Sequence, residues 1–168
     1  MLEALRWVDR AVGAVLGPVV VAGMVALTAV ITLQIVSRVF FTSVSWTEEV
    51  ARFLLIWITF LGAALAFQQG RHIAVKLLRD SLPPTLRRLM TGAGILVTIA
   101  FLATLTWIGS TYMSMQSFQK SPSLRIPMNN IYLVMPLAAA LMAFLSLIDL
   151  AKLLAGEQSR DDKPESVE

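Results

Sequence analysis

Four apolar runs, each of membrane-spanning length and nearly free of charge, leave this chain little choice of architecture. They fall at about residues 11–37, 48–69, 89–115 and 131–154. About 20 residues of helix suffice to cross a hydrocarbon core of about 30 Å. The expected fold class is therefore an all-α integral membrane protein, with four transmembrane helices in one domain (11–154) and short interfacial amphipathic helices beside them. Composition agrees: 57% of residues are hydrophobic and the mean hydropathy is +0.72, whereas soluble domains are about half apolar or less. The charged residues, 15% of the chain, cluster between the apolar blocks. A net charge of +3 gives no reason to expect a nucleic-acid partner, because the basic residues flank spans and form no separate stripe.

Residues 1–10 read as an N-terminal interfacial segment, with Leu2 and Leu5 on one helical face and Trp7 at headgroup level. The run that follows is about twice the length of a signal-peptide core, which predicts an uncleaved first span. Gly13 and Gly17 form G-x-x-x-G, a pattern that permits close helix approach but also arises by chance in glycine-rich membrane helices. Gly17-Pro18 is expected to kink or start that helix.

The second span opens on a charged entry. Ser45 and Glu48 have the S-x-x-E spacing of a capping box, in which hydroxyl and carboxylate satisfy free backbone N–H groups. Glu48 and Glu49 lie four and three residues before Arg52, so both can pair with it on one helix face. Two readings stay open: a polar cap that holds the helix end at the headgroups, or a docking site for a partner. Gly62, Ala63, Ala64 and Ala66 make a small-residue patch suited to helix packing. Residues 70–82 fit an amphipathic interfacial helix, which Pro83-Pro84 would stop. The cations Arg71, Lys76, Arg79, Arg87 and Arg88 cluster around this segment. They serve either as simple topology signals or as contacts to anionic lipid headgroups.

The third span holds Thr98, Thr104, Thr106, Ser110 and Thr111, whose hydroxyls can bond back to carbonyls of their own helix. In the loop from Gln116 to Asn130, Ser121-Pro122 and Ile126-Pro127 favour turns or extended backbone. Pro136 is positioned to kink the fourth span, and Asp149 lies near its end with Lys152 three residues on. Residues 155–168, polar and mixed in charge, read as a disordered cytoplasmic tail.

Catalytic chemistry is hard to build from this inventory. There is no Cys, which excludes disulfides, thiolate nucleophiles and Cys-ligated metals. The one His, His72, has no ligand partner near it in sequence and is assigned a surface role; no cofactor or metal site is expected. There is no nucleophile elbow, H-E-x-x-H or phosphate loop. No acid sits mid-span, and the spans lack the broken helices with which transporters build midplane sites. The chain reads as a non-enzymatic helper whose spans lean on another membrane protein. A self-sufficient small oligomeric exporter is the alternative, weakened by the missing mid-span acid. A membrane anchor for a redox enzyme is weakened by the single His.

One stretch carries a resemblance. Trp46, Glu48, Glu49, Ala51, Arg52, Phe53, Trp57, Phe60, Leu61, Gly62, Ala63, Gly70, His72 and Ile73, in this order and spacing, resemble the signature of the small permease subunit of tripartite ATP-independent periplasmic (TRAP) transporters. The resemblance implies a non-catalytic subunit in a bacterial inner membrane. It further implies sodium-coupled uptake of an organic acid anion, a large permease subunit as partner, and a periplasmic solute-binding protein that delivers the solute. By that analogy Trp46, Glu48, Glu49, Arg52, Trp57 and Gly62 are candidate partner-interface residues.

Charge asymmetry sets the expected orientation. Of 14 basic residues, Arg6, Arg10, Arg71, Lys76, Arg79, Arg87, Arg88, Lys152, Arg160 and Lys163 fall on the side that holds both termini. Only Arg38, Arg52, Lys120 and Arg125 fall on the other. The positive-inside rule then puts both termini in the cytoplasm.

Overall fold

A computed structural model of the chain describes residues 2–40, 45–79 and 84–154. The helices are α1 (Leu2–Phe40), α2 (Ser45–Arg79), α3 (Pro84–Met115), α4 (Met128–Tyr132) and α5 (Val134–Leu154). A 3-10 turn at Gln116–Phe118 follows α3. Among the described residues, four segments are long and apolar enough to cross a membrane: Arg10–Phe40, Ser45–Gly70, Leu89–Phe118 and Met128–Leu154. The protein is thus an all-α membrane protein with four spans. The tail, 155–168, and the end of the amphipathic segment with Pro83 lie outside the described residues.

Helix is the form in which a segment satisfies its own backbone in lipid, and here it satisfies the hydroxyls too. Thr28, Thr59, Thr98, Thr104 and Thr106 each donate to the carbonyl four residues back, at 2.7 to 2.9 Å. Ser110 and Thr111 both donate to the Trp107 carbonyl.

α1 packs along α2 and α3 along α5, while contact between α2 and α5 joins the two pairs. Their shared core is Leu16 of α1, Leu61 and Ala64 of α2, Leu102 of α3, and Val134, Ala138 and Met142 of α5. α5 is the central element: 44% of the apolar window of its span is buried, against 6%, 11% and 6% for the first, second and third spans.

Two expected boundaries are not breaks in the structure. Residues 2–10 are the opening turns of α1, not a separate interfacial helix, and α1 also runs through Pro18. α2 continues past Gly70 to Arg79. The fourth span is the one that divides, at Leu133. Pro136 has no N–H to give the Tyr132 carbonyl, so the ladder is interrupted there. Bonds from Leu133 N–H to the Asn129 carbonyl (2.9 Å) and from Leu137 N–H to the Leu133 carbonyl (3.2 Å) carry the chain across. Gly109 lets α3 approach this kink, since a Cβ there would sit 3.3 Å from the Pro136 nitrogen.

The G-x-x-x-G pattern is half used. A Cβ on Gly13 would meet the Gln68 side chain at 2.9 Å, whereas one on Gly17 would meet nothing within 4 Å. The second close approach of α1 to α2 is at Gly23, where a Cβ would fall 2.8 Å from Ile58. Gly23→Leu should therefore destabilise the bundle by about 1–3 kcal/mol, the usual range for overpacking. Gly17→Leu should leave it nearly unchanged. Thermal unfolding in detergent, compared between the two variants, checks this.

Candidate functional site

The sequence candidates at the entry of α2 separate onto different faces, and the residue that does most there is Glu49. Its Oε2 accepts the Ser121 hydroxyl at 2.6 Å and the Leu124 N–H at 3.0 Å, while Oε1 accepts the Ser123 N–H at 2.7 Å. Glu49 is 9% exposed and Ser121 1%. A carboxylate removed from water needs such replacement donors, because burying an unpaired charge is costly. Ser45 adds a second tie, its hydroxyl 3.1 Å from that of Ser123.

The loop held in this way is itself stapled. Ser121 N–H donates to the Ile126 carbonyl at 2.9 Å, Arg125 N–H to the Ser121 carbonyl at 3.2 Å, and Met128 N–H to the Gln119 carbonyl at 2.9 Å. Arg125 sits at φ 57°, a left-handed conformation that a side chain other than glycine adopts at a cost. Such strain persists where the surroundings over-determine the backbone, and the staples and the Glu49 clamp do so here. Beneath the loop, Val50, Phe53, Leu54, Trp57, Leu124 and Ile126 line a shallow apolar hollow of about 300 Å³.

The other candidates are placed as follows. Glu48 does not close a capping box with Ser45; its Oε1 takes the Arg52 guanidinium at 3.0 Å, with both side chains largely exposed. An exposed i,i+4 pair of this kind contributes little stability. Trp46 is 41% exposed. Trp57 packs against the core and reaches the hollow. Gly62 faces open space. The structure thus joins Glu48 to Arg52 and Glu49 to the loop, and leaves Gly62 apart from both. Glu48, Arg52, Leu55, Thr59, Gly62 and Ala66 recur at alternating four- and three-residue spacing and form one outward row on α2; all are exposed except the half-buried Gly62. The outward faces of α1 and α3 carry many more large apolar side chains, among them Val25, Ile31 and Ile35 on one and Val97, Phe101 and Trp107 on the other, interspersed with exposed small and hydroxyl residues such as Thr28 and Ala29 or Ala100 and Thr104. The side chains of Arg71, Lys76, Arg79, Arg87 and Arg88 lie outside the described ones; the first three fall in the last turns of α2 and the other two in the first turns of α3.

Sequence reasoning missed Ser121, Ser123 and Leu124, which donate to Glu49 across 72 to 75 residues. The available signal was two prolines flanking a short polar turn at a span end. Among the described residues no group of three or more His, Cys, Asp or Glu could hold a metal ion.

The sequence pattern of a family described as "Tripartite ATP-independent periplasmic transporters, DctQ component" matches residues 27–156. The chain belongs to this family. Among relatives of this DctQ-family chain, the isethionate TRAP transporter permease protein DctMQ of Oleidesulfovibrio alaskensis is 36% identical over 146 residues, 80% of this chain and 22% of that protein. The C4-dicarboxylate TRAP transporter small permease protein DctQ of Rhodobacter capsulatus is 27% identical over 59% of this chain and 44% of its own length. The sialic acid TRAP transporter small permease protein SiaQ of Vibrio cholerae is 27% identical over 81% of each. The chain therefore spans less than two thirds of the first two relatives and most of the third. DctQ components are transporter subunits and not enzymes. Family membership also makes this a multi-pass protein of the bacterial inner membrane.

Glu49→Gln would put an amide NH2 where donors now converge. The Ser123 and Leu124 amides should then exchange with solvent faster, on the order of tenfold. Glu48→Gln should leave them unchanged. Hydrogen–deuterium exchange of the peptide covering residues 119–127 reads both.

Proposed function

We propose that this chain is the small membrane subunit of a sodium-coupled TRAP transporter for an organic acid anion. It braces a large permease subunit in the membrane and helps to receive a periplasmic solute-binding protein. Support comes first from the DctQ match over residues 27–156. It also comes from the isethionate permease, a longer chain of which the matched segment is only 22%. The solutes in the relatives' names, isethionate, a C4-dicarboxylate and sialic acid, are all small organic anions, and nothing in this chain selects among them.

The observation that carries the bracing role is the outward row on α2. A lipid-facing helix gains nothing from Arg52, Thr59, Gly62 and Ala66, whereas small and hydroxyl-bearing residues let another helix approach closely. Thr59 already donates to the Leu55 carbonyl at 2.7 Å, so it can face a neighbouring helix with no unmet hydrogen. In the proposed orientation the loop end of the bundle faces the periplasm and both termini the cytoplasm. Arg71, Lys76, Arg79, Arg87 and Arg88 then meet anionic headgroups of the inner leaflet, each contributing about 1 kcal/mol.

The absence of Cys makes the test direct. Thr59→Cys and Ala66→Cys should cross-link to the co-expressed large permease through a short bifunctional reagent, and Val97→Cys on α3 should not. Lys120→Cys should react with a membrane-impermeant maleimide from the periplasmic side. Cross-linking confined to Val97→Cys would move the interface to another face. Failure of the two subunits to co-purify would remove the bracing role. Labelling of Lys120→Cys only after the inner membrane is opened would invert the orientation.

A further inference from the structure

The loop end of the bundle carries four cations and two acids: Arg38 at the end of α1, Arg52 on α2, Lys120 and Arg125 in the loop, with Glu48 and Glu49. Both acids are already engaged. Glu48 holds Arg52, and Glu49 is turned inward onto Ser121, Ser123 and Leu124. The segment from Gln116 to Asn130 contains no Asp or Glu. Lys120 and Arg125, both exposed on one short loop, and Arg38, exposed at the end of α1, therefore remain with no further acid at this end to pair with. Two of the three sit on backbone that is fixed: Lys120 in the bridge to Pro127, Arg125 in its left-handed turn bonded to Ser121.

From this geometry we propose that the 119–127 loop is a preorganised cationic platform for an acidic face of a soluble protein, with Lys120 and Arg125 as the contacting cations and Glu49 as the positioning residue. The inference rests on the reading that this subunit helps to receive a soluble binding protein and that the loop end faces outward. It adds which residues meet that partner, what charge the partner presents, and what holds the platform in place. Charge complementarity decides the partner's chemistry, and it steers association before contact. Rigidity decides between a protein and a lipid surface. Headgroups attract cations on any mobile segment. Three hydrogen bonds accepted by a buried carboxylate matter when a partner of fixed shape must find two cations at set positions, because that ordering is then complete before binding.

The test uses the complex of this chain with its large permease, reconstituted in nanodiscs of purely zwitterionic lipid, and binding of the cognate solute-binding protein measured by interferometry across a salt series. Wild-type affinity should fall as salt rises. Lys120→Glu with Arg125→Glu should raise Kd about tenfold or more and flatten the salt dependence. Lys120→Glu alone, at an exposed position, should act in the same direction. Glu49→Gln supplies the decisive sign. It makes this end more positive, so a pure charge effect would tighten binding to an acidic partner. Loss of the clamp should weaken it about threefold or more, with co-purification of the large permease intact.

Unchanged Kd in the double variant, or tighter binding by Glu49→Gln, would overturn the proposal while the subunit's wider role stands. So would an effect of the cation variants that appears only when anionic lipid is added to the discs, which would assign the cations to headgroups. A wild-type complex that fails to bind the solute-binding protein at any salt would remove the receiving role, and this inference with it.

Discussion

Contact between α2 and α5 holds the molecule together, because it is the seam between two helix pairs that otherwise touch little. Lipid is as apolar as a leucine side chain, so helices in a membrane gain from close fit and not from escaping water. The seam meets that requirement with fully buried Ala64 on one helix and Ala138 on the other, backed by Leu61, Val134 and Met142. With α5 spent on this inner role, α1 and α3 are left at the edges with many of their large apolar side chains turned outward. The bundle has one well-packed helix and three that are largely open.

That arrangement explains how α2 can serve several surfaces at once. One side lies on α1 and another on α5. Its entry turn reaches inward through Glu49 to hold a loop more than seventy residues away in sequence. The remaining row, from Glu48 to Ala66, stays free on the outside. Adjacent glutamates therefore have opposite duties. Glu48 forms an exposed ion pair, whereas Glu49 is a buried acceptor that shapes the loop's backbone.

The number and helical nature of the spans were legible in the sequence, because membrane length and hydropathy leave a run such as Ala11 to Val36 one outcome. The family was legible from the motif between Trp46 and Ile73. Packing detail was less so. G-x-x-x-G identifies spacing but not which face meets a neighbour, and Gly23, outside the motif, makes an approach that Gly17 does not. Pro18 and Pro136 look alike in sequence, yet the helix runs on through the first and is interrupted before the second. The Glu49 clamp was invisible because two of its three donors are backbone N–H groups, which every residue other than proline offers. Arg52, the predicted partner of both glutamates, forms its ion pair with Glu48.

In the proposed role these spans support transport without performing it. Helices whose hydroxyls bond to their own carbonyls, with no ionisable side chain at mid-span, offer an organic anion no path and no counter-charge. Uptake measured in proteoliposomes under an imposed sodium gradient tests this most directly, with labelled isethionate, C4-dicarboxylate and sialic acid as trial solutes. This chain alone should give no uptake above protein-free vesicles, and uptake of the transporter's own solute should begin only when the large permease and the binding protein are added. Solute flux from the chain by itself would rule out a purely supporting role.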